Sequence, residues 1–199
     1  MHAPRPTKAE TRERILAKAD ELFRQFGVGK TTVSDIAGEL GMSPANIYKF
    51  FPARKAILES SAMRNLGIIR QQVADVVGGE GGAMERLRGV VLAVNRFNRE
   101  LFRNERQIFQ LVITAVEEEW PCVLQYHEFL LETVMRLLAE GTRSGEFRQG
   151  LPPETPRALL DCLSAALRPH LQIDYKPTAD EARIRAQLDL LARALAANP

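Results

Sequence analysis

The chain of 199 residues is poor in cysteine and histidine and contains no long hydrophobic run. Cys122 and Cys162 are too few for a disulfide framework and are interpreted as small core residues in a reducing compartment. No apolar run approaches the roughly 18 residues of a membrane span. The polar, proline-containing start (Met1 to Arg12) has no apolar segment typical of a secretory signal. We therefore expect a cytoplasmic protein with no membrane partner.

Residues that could carry catalysis or bind a metal are scarce. The three histidines form neither a His-Glu-x-x-His nor a Glu-x-x-His pattern, and no nucleophile is placed near a base. The glycine-rich segments 27–31 and 78–82 lack the preceding strand that a phosphate-binding loop requires. The sequence therefore predicts no catalytic site, no metal site and no cofactor.

Charge is almost balanced overall but is unevenly distributed. The net charge is +2, which excludes a protein that coats nucleic acid through bulk charge. Residues 1–60 hold 10 Lys and Arg against 7 Asp and Glu, whereas the remainder holds 17 against 18. The positive excess in the first third is weak support for a polyanionic partner there.

Apolar residues recur at helical spacing almost throughout, and no stretch alternates convincingly with period two. The pattern predicts an all-α fold of about nine helices. Thr7 with Glu10 forms a capping box before the first helix, which ends at Gly27, and Thr178 with Glu181 forms another before the last. After three N-terminal helices, six more are predicted near 53–77, 83–103, 105–119, 121–143, 154–171 and 179–197.

Residues 31–51 contain two short helices separated by Gly41-Met42-Ser43, the layout of a helix-turn-helix. Ser43 is a good N-cap, and Pro44 follows at the first helical position. Ile47 and Phe51 face inward, and the outer side is small or polar. Thr31 and Thr32 suit a phosphate at a helix N-terminus, and Arg54 and Lys55 could grip the backbone from the other side. An ordinary helix pair in an all-α protein remains an equal alternative on spacing alone.

Residues 31–58, TTVSDIAGELGMSPANIYKFFPARKAIL, closely resemble the TetR/AcrR family of bacterial transcriptional regulators. The upstream positions Ile15, Ala19, Leu22 and Phe23, followed by Gly27, match the family as well, so the resemblance covers about residues 8–60. The Thr-Thr, Ile-Ala, Gly-x-Ser, Ile-Tyr and Phe-Pro elements stand at family spacing. Phe50 departs from the His or Tyr that is common in the family, and Arg54 departs from the usual Lys.

The resemblance implies a recognition helix that reads double-stranded DNA and adds Ser34 and Phe50 to the candidate contacts. It implies an N-terminal DNA-binding domain, 1–52, and a C-terminal effector-binding and dimerisation domain, 53–199, with helix 53–77 connecting the two. The predicted DNA-binding residues are Thr31, Thr32, Ser34, Ser43, Pro44, Ala45, Asn46, Tyr48, Lys49, Phe50, Arg54 and Lys55.

The function expected from this resemblance is a ligand-responsive regulator, taken to be a repressor. It would bind a palindromic operator as a homodimer and be released by an unknown small-molecule effector. The alternative is a DNA-bound adaptor whose C-terminal domain binds a protein partner rather than a metabolite.

Two groups in the C-terminal part are candidates for these roles, and each could instead be ordinary core. Apolar residues at heptad-like spacing would form a four-helix dimer interface: Leu159, Leu163, Leu167, Ile184, Leu188, Leu191 and Leu195. Residues of the middle helices would line an effector pocket: Phe97, Phe102, Phe109, Trp120, Tyr126 and His127.

Overall fold

A computed structural model describes residues 6–168 and 181–197, and over these ranges the protein is all-helical. The predicted all-α fold is confirmed. In chain order the helices are α1 (Lys8–Phe26), α2 (Val33–Glu39), α3 (Pro44–Tyr48), α4 (Arg54–Gly78), α5 (Ala83–Asn104), α6 (Arg106–Glu117), α7 (Pro121–Ser144), α8 (Thr155–Cys162), α9 (Ser164–Leu167) and α10 (Glu181–Leu195).

The sequence placed most helix ends within about two residues because local signals set them. The Thr7–Glu10 capping box is present, and Gly27 ends α1 with a φ of 93°, a conformation that favours glycine. One prediction is wrong: the single helix expected over 154–171 is divided into α8 and α9 at Leu163, and Arg168 is extended. The cap predicted at Thr178 lies outside the described residues.

Two hydrophobic clusters form the interior. The larger one joins helices α4 to α10 in the C-terminal part of the chain and includes Leu111 and Ala115 of α6. The smaller one joins α1, α2 and α3 to the start of α4 and to α6, through residues that include Ile57, Ile108 and Phe109. Helix α6 therefore contributes to the same core as the helix-turn-helix, although many residues separate them along the chain.

A buried polar group fixes the angle between α1 and α4. Asp20 is buried and accepts hydrogen bonds from Ser61 Oγ at 2.5 Å and from Arg64 Nη1 at 2.8 Å. Arg64 also pairs with Glu13, two turns away from Asp20 on α1. Because α4 continues into the C-terminal core, this network holds the N-terminal helices at a defined orientation to the rest of the chain.

Candidate nucleic-acid interface and internal cavity

Helix α3 presents its outer face to solvent while a single residue anchors it. Ile47 is 0% exposed and packs into the smaller core, whereas the next residue, Tyr48, is 48% exposed. Ser43 Oγ accepts a hydrogen bond from Asn46 N at 3.2 Å and caps the helix. The outward face consists of residues that are small, polar or cationic, as a helix entering a major groove needs. Its exposed members are Ser43, Pro44, Ala45, Tyr48 and Lys49; Asn46 is half-buried.

Helix α2 begins with a capping box that the sequence analysis did not identify. Thr32 N and Thr32 Oγ1 both donate to Asp35 Oδ2, at 2.8 and 2.7 Å, and Thr32 Oγ1 accepts from Asp35 N. The Thr32 hydroxyl and then its backbone N–H lower the pKa of the Asp35 carboxyl. The Thr-x-x-acid spacing was a visible signal. Thr32 and Ser34 are exposed as expected, but a carboxylate lies beside Thr32 and would repel a phosphate close to it.

Two of the residues predicted to contact phosphates, Thr31 and Arg54, form hydrogen bonds to backbone carbonyls of the protein instead. Thr31 is buried, and its hydroxyl bonds Gly27 O at 3.0 Å and Leu22 O at 3.3 Å. Arg54 is half-buried and donates from Nε to Thr31 O at 3.0 Å and from Nη2 to Val28 O. Thr31 and Arg54 therefore hold the loop between α1 and α2 in place, in contrast to the expected role at the DNA surface.

The remaining two predicted contacts differ from each other. Lys55 is exposed, but its ammonium faces away from α3, lying 3.7 Å from Glu118 and 5.7 Å from the centre of the Trp120 ring. Phe50 is half-buried and packs against the smaller core. Its replacement of a polar residue that is common in the family thus adds packing at this position.

A cavity of about 340 Å³ that is partly open to solvent lies in the C-terminal part of the chain, between α4, α5, α6, α7, α8 and α9. Half of the residues that line it are aliphatic, and they come from every one of these helices except α5, which contributes Phe97 and Asn98. The volume falls in the range of cavities that hold small organic molecules. The wall residues from α4, α8 and α9 carry no signal in the sequence that separates them from ordinary core.

Only half of the aromatic group predicted for this role lies at the cavity. Phe97, Tyr126 and His127 line it. Phe109 is instead buried in the smaller core with Phe102 against it, their ring centroids 5.1 Å apart in an edge-to-face arrangement. Trp120 is buried at the start of α7, where its Nε1 donates to Glu118 at 2.8 Å. Phe102, Phe109 and Trp120 therefore do not line this cavity, because the two phenylalanines pack at the smaller core and Trp120 is buried before α7.

The heptad-like seam packs within its own subunit. Six of its seven residues are buried in the larger core, and Leu191 is half-buried against it. The alternative that the seam is core is therefore the one that the structure supports, and the residues concerned are Leu159, Leu163, Leu167, Ile184, Leu188 and Leu195. The exposed faces of α8 and α10 carry alanines and one leucine, Leu190, which is 66% exposed, among charged residues. The exposed charged residues are Arg157, Asp161, Arg183, Arg185, Asp189 and Arg193.

These features define a helix-turn-helix protein with a separate helical C-terminal region. Residues 15–60 match the family model for bacterial regulatory proteins of the tetR family, and residues 83–189 match the model for the tetracyclin repressor-like C-terminal domain. The chain belongs to the TetR family of transcriptional regulators, as the resemblance over residues 8–60 predicted. No described helix has the length and apolar character needed to cross a membrane.

Solved structures share the same fold. A transcriptional regulator from Cytophaga hutchinsonii aligns with a TM-score of 0.69 at 18% identity, covering 94% of this chain and 98% of that chain. SCO4454, a TetR-family regulator from Streptomyces coelicolor, aligns with a TM-score of 0.67 at 21% identity over 94% and 96% of the two chains. SmeT, the repressor of the Stenotrophomonas maltophilia multidrug efflux pump SmeDEF, gives 0.66 at 19% identity over 95% and 92%. No curated protein matches the sequence.

Proposed function

We propose that this protein is a ligand-responsive repressor that binds a palindromic operator as a homodimer in the cytoplasm and is released by a small-molecule effector. The observation that carries the proposal is the combination of an exposed α3 face with a cavity on the other side of α6. The proposed DNA-contacting surface consists of Thr32, Ser34, Ser43, Pro44, Ala45, Asn46, Tyr48 and Lys49.

The size and charge of the side chains on this surface indicate which of them would contact bases and which would contact phosphates. Pro44 and Ala45 are small enough to let the helix backbone approach base edges, whereas Tyr48 and Lys49 can reach phosphate oxygens. Arg12 adds a cation next to α3, because its guanidinium lies 4.6 Å from the centre of the Phe51 ring and its Nη2 donates to Ser60. The surface thus has an uncharged centre for reading bases, with the cations Lys49 and Arg12 beside it and the Asp35 carboxylate at Thr32.

Binding to DNA can be tested by fluorescence anisotropy with duplexes from the region upstream of the protein's own gene. We expect a specific, salt-sensitive complex with a palindromic sequence. Lys49→Gln should weaken it about tenfold, whereas Arg136→Gln, which removes the same charge from the exposed side of α7, should change affinity less than twofold. The absence of any sequence preference among the duplexes would contradict the proposal.

The homodimer is proposed to use the exposed faces of α8 and α10. Ala186, Leu190 and Ala194 repeat every four residues on α10, and all three are exposed. Small residues allow helices of two subunits to approach closely, and Leu190 supplies an apolar side chain that a partner copy would cover. A two-fold dimer also sets the spacing that a palindromic operator requires.

Sedimentation velocity can test this interface. Leu190→Asp should convert the protein to monomers that bind a palindrome weakly. Leu124→Asp is the matched control, because Leu124 is a similarly exposed leucine on α7, and it should leave the dimer intact. If both variants sediment as dimers, the subunits associate through another face.

Helix α6 is the element through which an effector would act on DNA binding. Val112 lines the cavity and also belongs to the smaller core that contains Ile47. Ion pairs tie one end of α6 to α1, through Arg24 with Glu105 at 2.6 Å, and the other end to the start of α4, through Lys55 with Glu118 at 3.7 Å. A ligand that displaces α6 would therefore change the position of the helix-turn-helix and reduce affinity for a fixed half-site spacing.

The adaptor alternative has less support. An apolar cavity of about 340 Å³ is stabilised by a small molecule that fills it, whereas a docked protein would leave it empty. The cavity therefore favours a metabolite as the signal.

A further inference from the structure

The cavity contains a buried hydroxyl that no described residue bonds. Tyr126 is 8% exposed, lines the cavity, and makes only ring contacts with its neighbours in the described ranges. Burial raises the pKa of Tyr126, so its phenol stays protonated and can donate. Buried tyrosine hydroxyls in proteins usually have a hydrogen-bond partner.

The Tyr126 hydroxyl is not fully covered by protein atoms. Among the described residues, Arg86 Nε is the one fully covered side-chain nitrogen or oxygen that lacks a partner. The unbonded Tyr126 hydroxyl is not among the fully covered atoms, so it keeps some accessible surface, and Tyr126 lines the cavity. A molecule in the cavity could therefore accept a hydrogen bond from it.

A second buried polar side chain lines the same cavity. Asn98 is 6% exposed, and its Nδ2 donates to Leu167 O at 3.0 Å, at the C-terminal end of α9. This bond fixes the orientation of the amide, so Oδ1 is the atom left to accept a hydrogen bond. The deep polar groups are thus one donor and one acceptor, and both are uncharged.

The charged residues at the cavity are all at its exposed edge. Arg157 and Arg168 are balanced there by Glu128 and Asp161, and each of the four is exposed. No charged side chain that lines the cavity within the described residues is buried. An ionised group carried into the interior would lose its hydration without gaining a buried counter-charge, which is costly.

We propose that the cavity binds an uncharged, mainly hydrophobic molecule whose carbonyl or hydroxyl oxygen accepts a hydrogen bond from Tyr126. A ligand hydroxyl would also donate to Asn98 Oδ1. This inference rests on the proposed function, in which the cavity is the effector site, and it adds the chemical class of the effector.

Displacement of a fluorescent probe tests the ligand class without DNA. Nile red is uncharged and hydrophobic, and its emission rises when it enters an apolar site. Three competitors share a ten-carbon chain and differ in the head group: 2-decanone, decanoate and decylammonium. We expect 2-decanone to displace Nile red at concentrations about tenfold lower than either ion requires. Equal or better displacement by decanoate would overturn the proposal.

Two variants locate the hydrogen bond. Tyr126→Phe removes the hydroxyl and keeps the ring, so it should weaken 2-decanone binding about fivefold while thermal unfolding shows an intact fold. Arg157→Gln, at the exposed edge, is the matched control and should leave 2-decanone binding unchanged. If Tyr126→Phe binds the ketone as well as the unmodified protein, or if Arg157→Gln alone weakens it, the assignment of Tyr126 is wrong.

A third variant confirms where the probe binds. Leu131 lines the cavity and is half-buried, so Leu131→Trp should fill part of the space and abolish the Nile red signal. A signal that persists in Leu131→Trp would overturn the cavity as the binding site. Anisotropy with operator DNA then separates the two proposals: a ketone that binds in the cavity but leaves DNA affinity unchanged contradicts the effector role and supports the ligand class.

Discussion

Replacement of Arg54 by alanine distinguishes a residue that stabilises the fold from one that contacts DNA. Its guanidinium donates to Thr31 O at 3.0 Å and to Val28 O, both in the loop between α1 and α2. Hydrogen bonds from a charged donor contribute about 1.5–3 kcal/mol each, and a half-buried side chain lies at the lower end. We expect Arg54→Ala to lower the free energy of unfolding by about 2–3 kcal/mol. For a chain of this length that is a loss of roughly 4–12 °C in Tm.

Thermal and urea unfolding followed by circular dichroism measure this loss. Arg54→Lys should recover little of it, because one ammonium on a flexible chain does not reproduce two parallel donors. Lys55→Ala is the control on the same turn of α4: its ion pair with Glu118 is exposed, so its removal should cost less than about 1 kcal/mol.

The opposite result would refute this reasoning. If Arg54→Ala unfolds at the same temperature as the unmodified protein but binds operator DNA tenfold more weakly, then Arg54 turns outward in the complex and contacts a phosphate. The pair of measurements, stability without DNA and affinity with it, therefore separates the two roles.

Three further predictions follow from single contacts. Phe109→Ala should lower the free energy of unfolding by about 3–5 kcal/mol because it opens a cavity in the smaller core. Phe102 is more exposed, so Phe102→Ala should lower that free energy clearly less. Equal losses in urea unfolding would contradict the packing described. The folded-state pKa of Asp35 is lowered, so the stabilisation that Asp35 provides is complete above its ordinary pKa of 3.8 and is lost as the pH falls further. Thr32→Val should flatten this decline in Tm between about pH 4.5 and 2.5. An unchanged pH profile would show that the capping box does not perturb Asp35. Lys49→Gln should reduce the slope of log affinity against log salt by about 1, measured by anisotropy from 50 to 300 mM salt, and an unchanged slope would mean that Lys49 contacts no phosphate.

The helix-turn-helix could be predicted because its determinants are close together in the chain. Ser43 caps α3 through a residue three positions on, and Ile47 and Phe51 lie on one face because they are four residues apart. The capping box formed by Thr32 and Asp35 has the same spacing and was equally predictable, but it was missed. The Asp35 carboxylate belongs to the candidate DNA surface. Helix ends elsewhere followed from equally local signals.

The candidate cavity could be predicted only in part. Selecting aromatic residues included Phe97 and Tyr126, which line the cavity, but it also included Phe109, which lies in the smaller core. A helix between two cores is apolar on both sides, and periodicity does not indicate which side faces a cavity. The aliphatic wall residues, such as Leu66 and Leu160, have the pattern of ordinary core positions.

The sequence by itself determined the helical fold, the position of the recognition helix and the family, because these depend on relations between residues within a few turns. Tertiary structure decided which groups were free to act. Arg54 bonds two carbonyls more than 20 residues away, and Leu188 packs inside its own subunit although its spacing would equally suit a dimer seam. Such choices depend on contacts between distant segments, and those contacts exist only once the helices have packed.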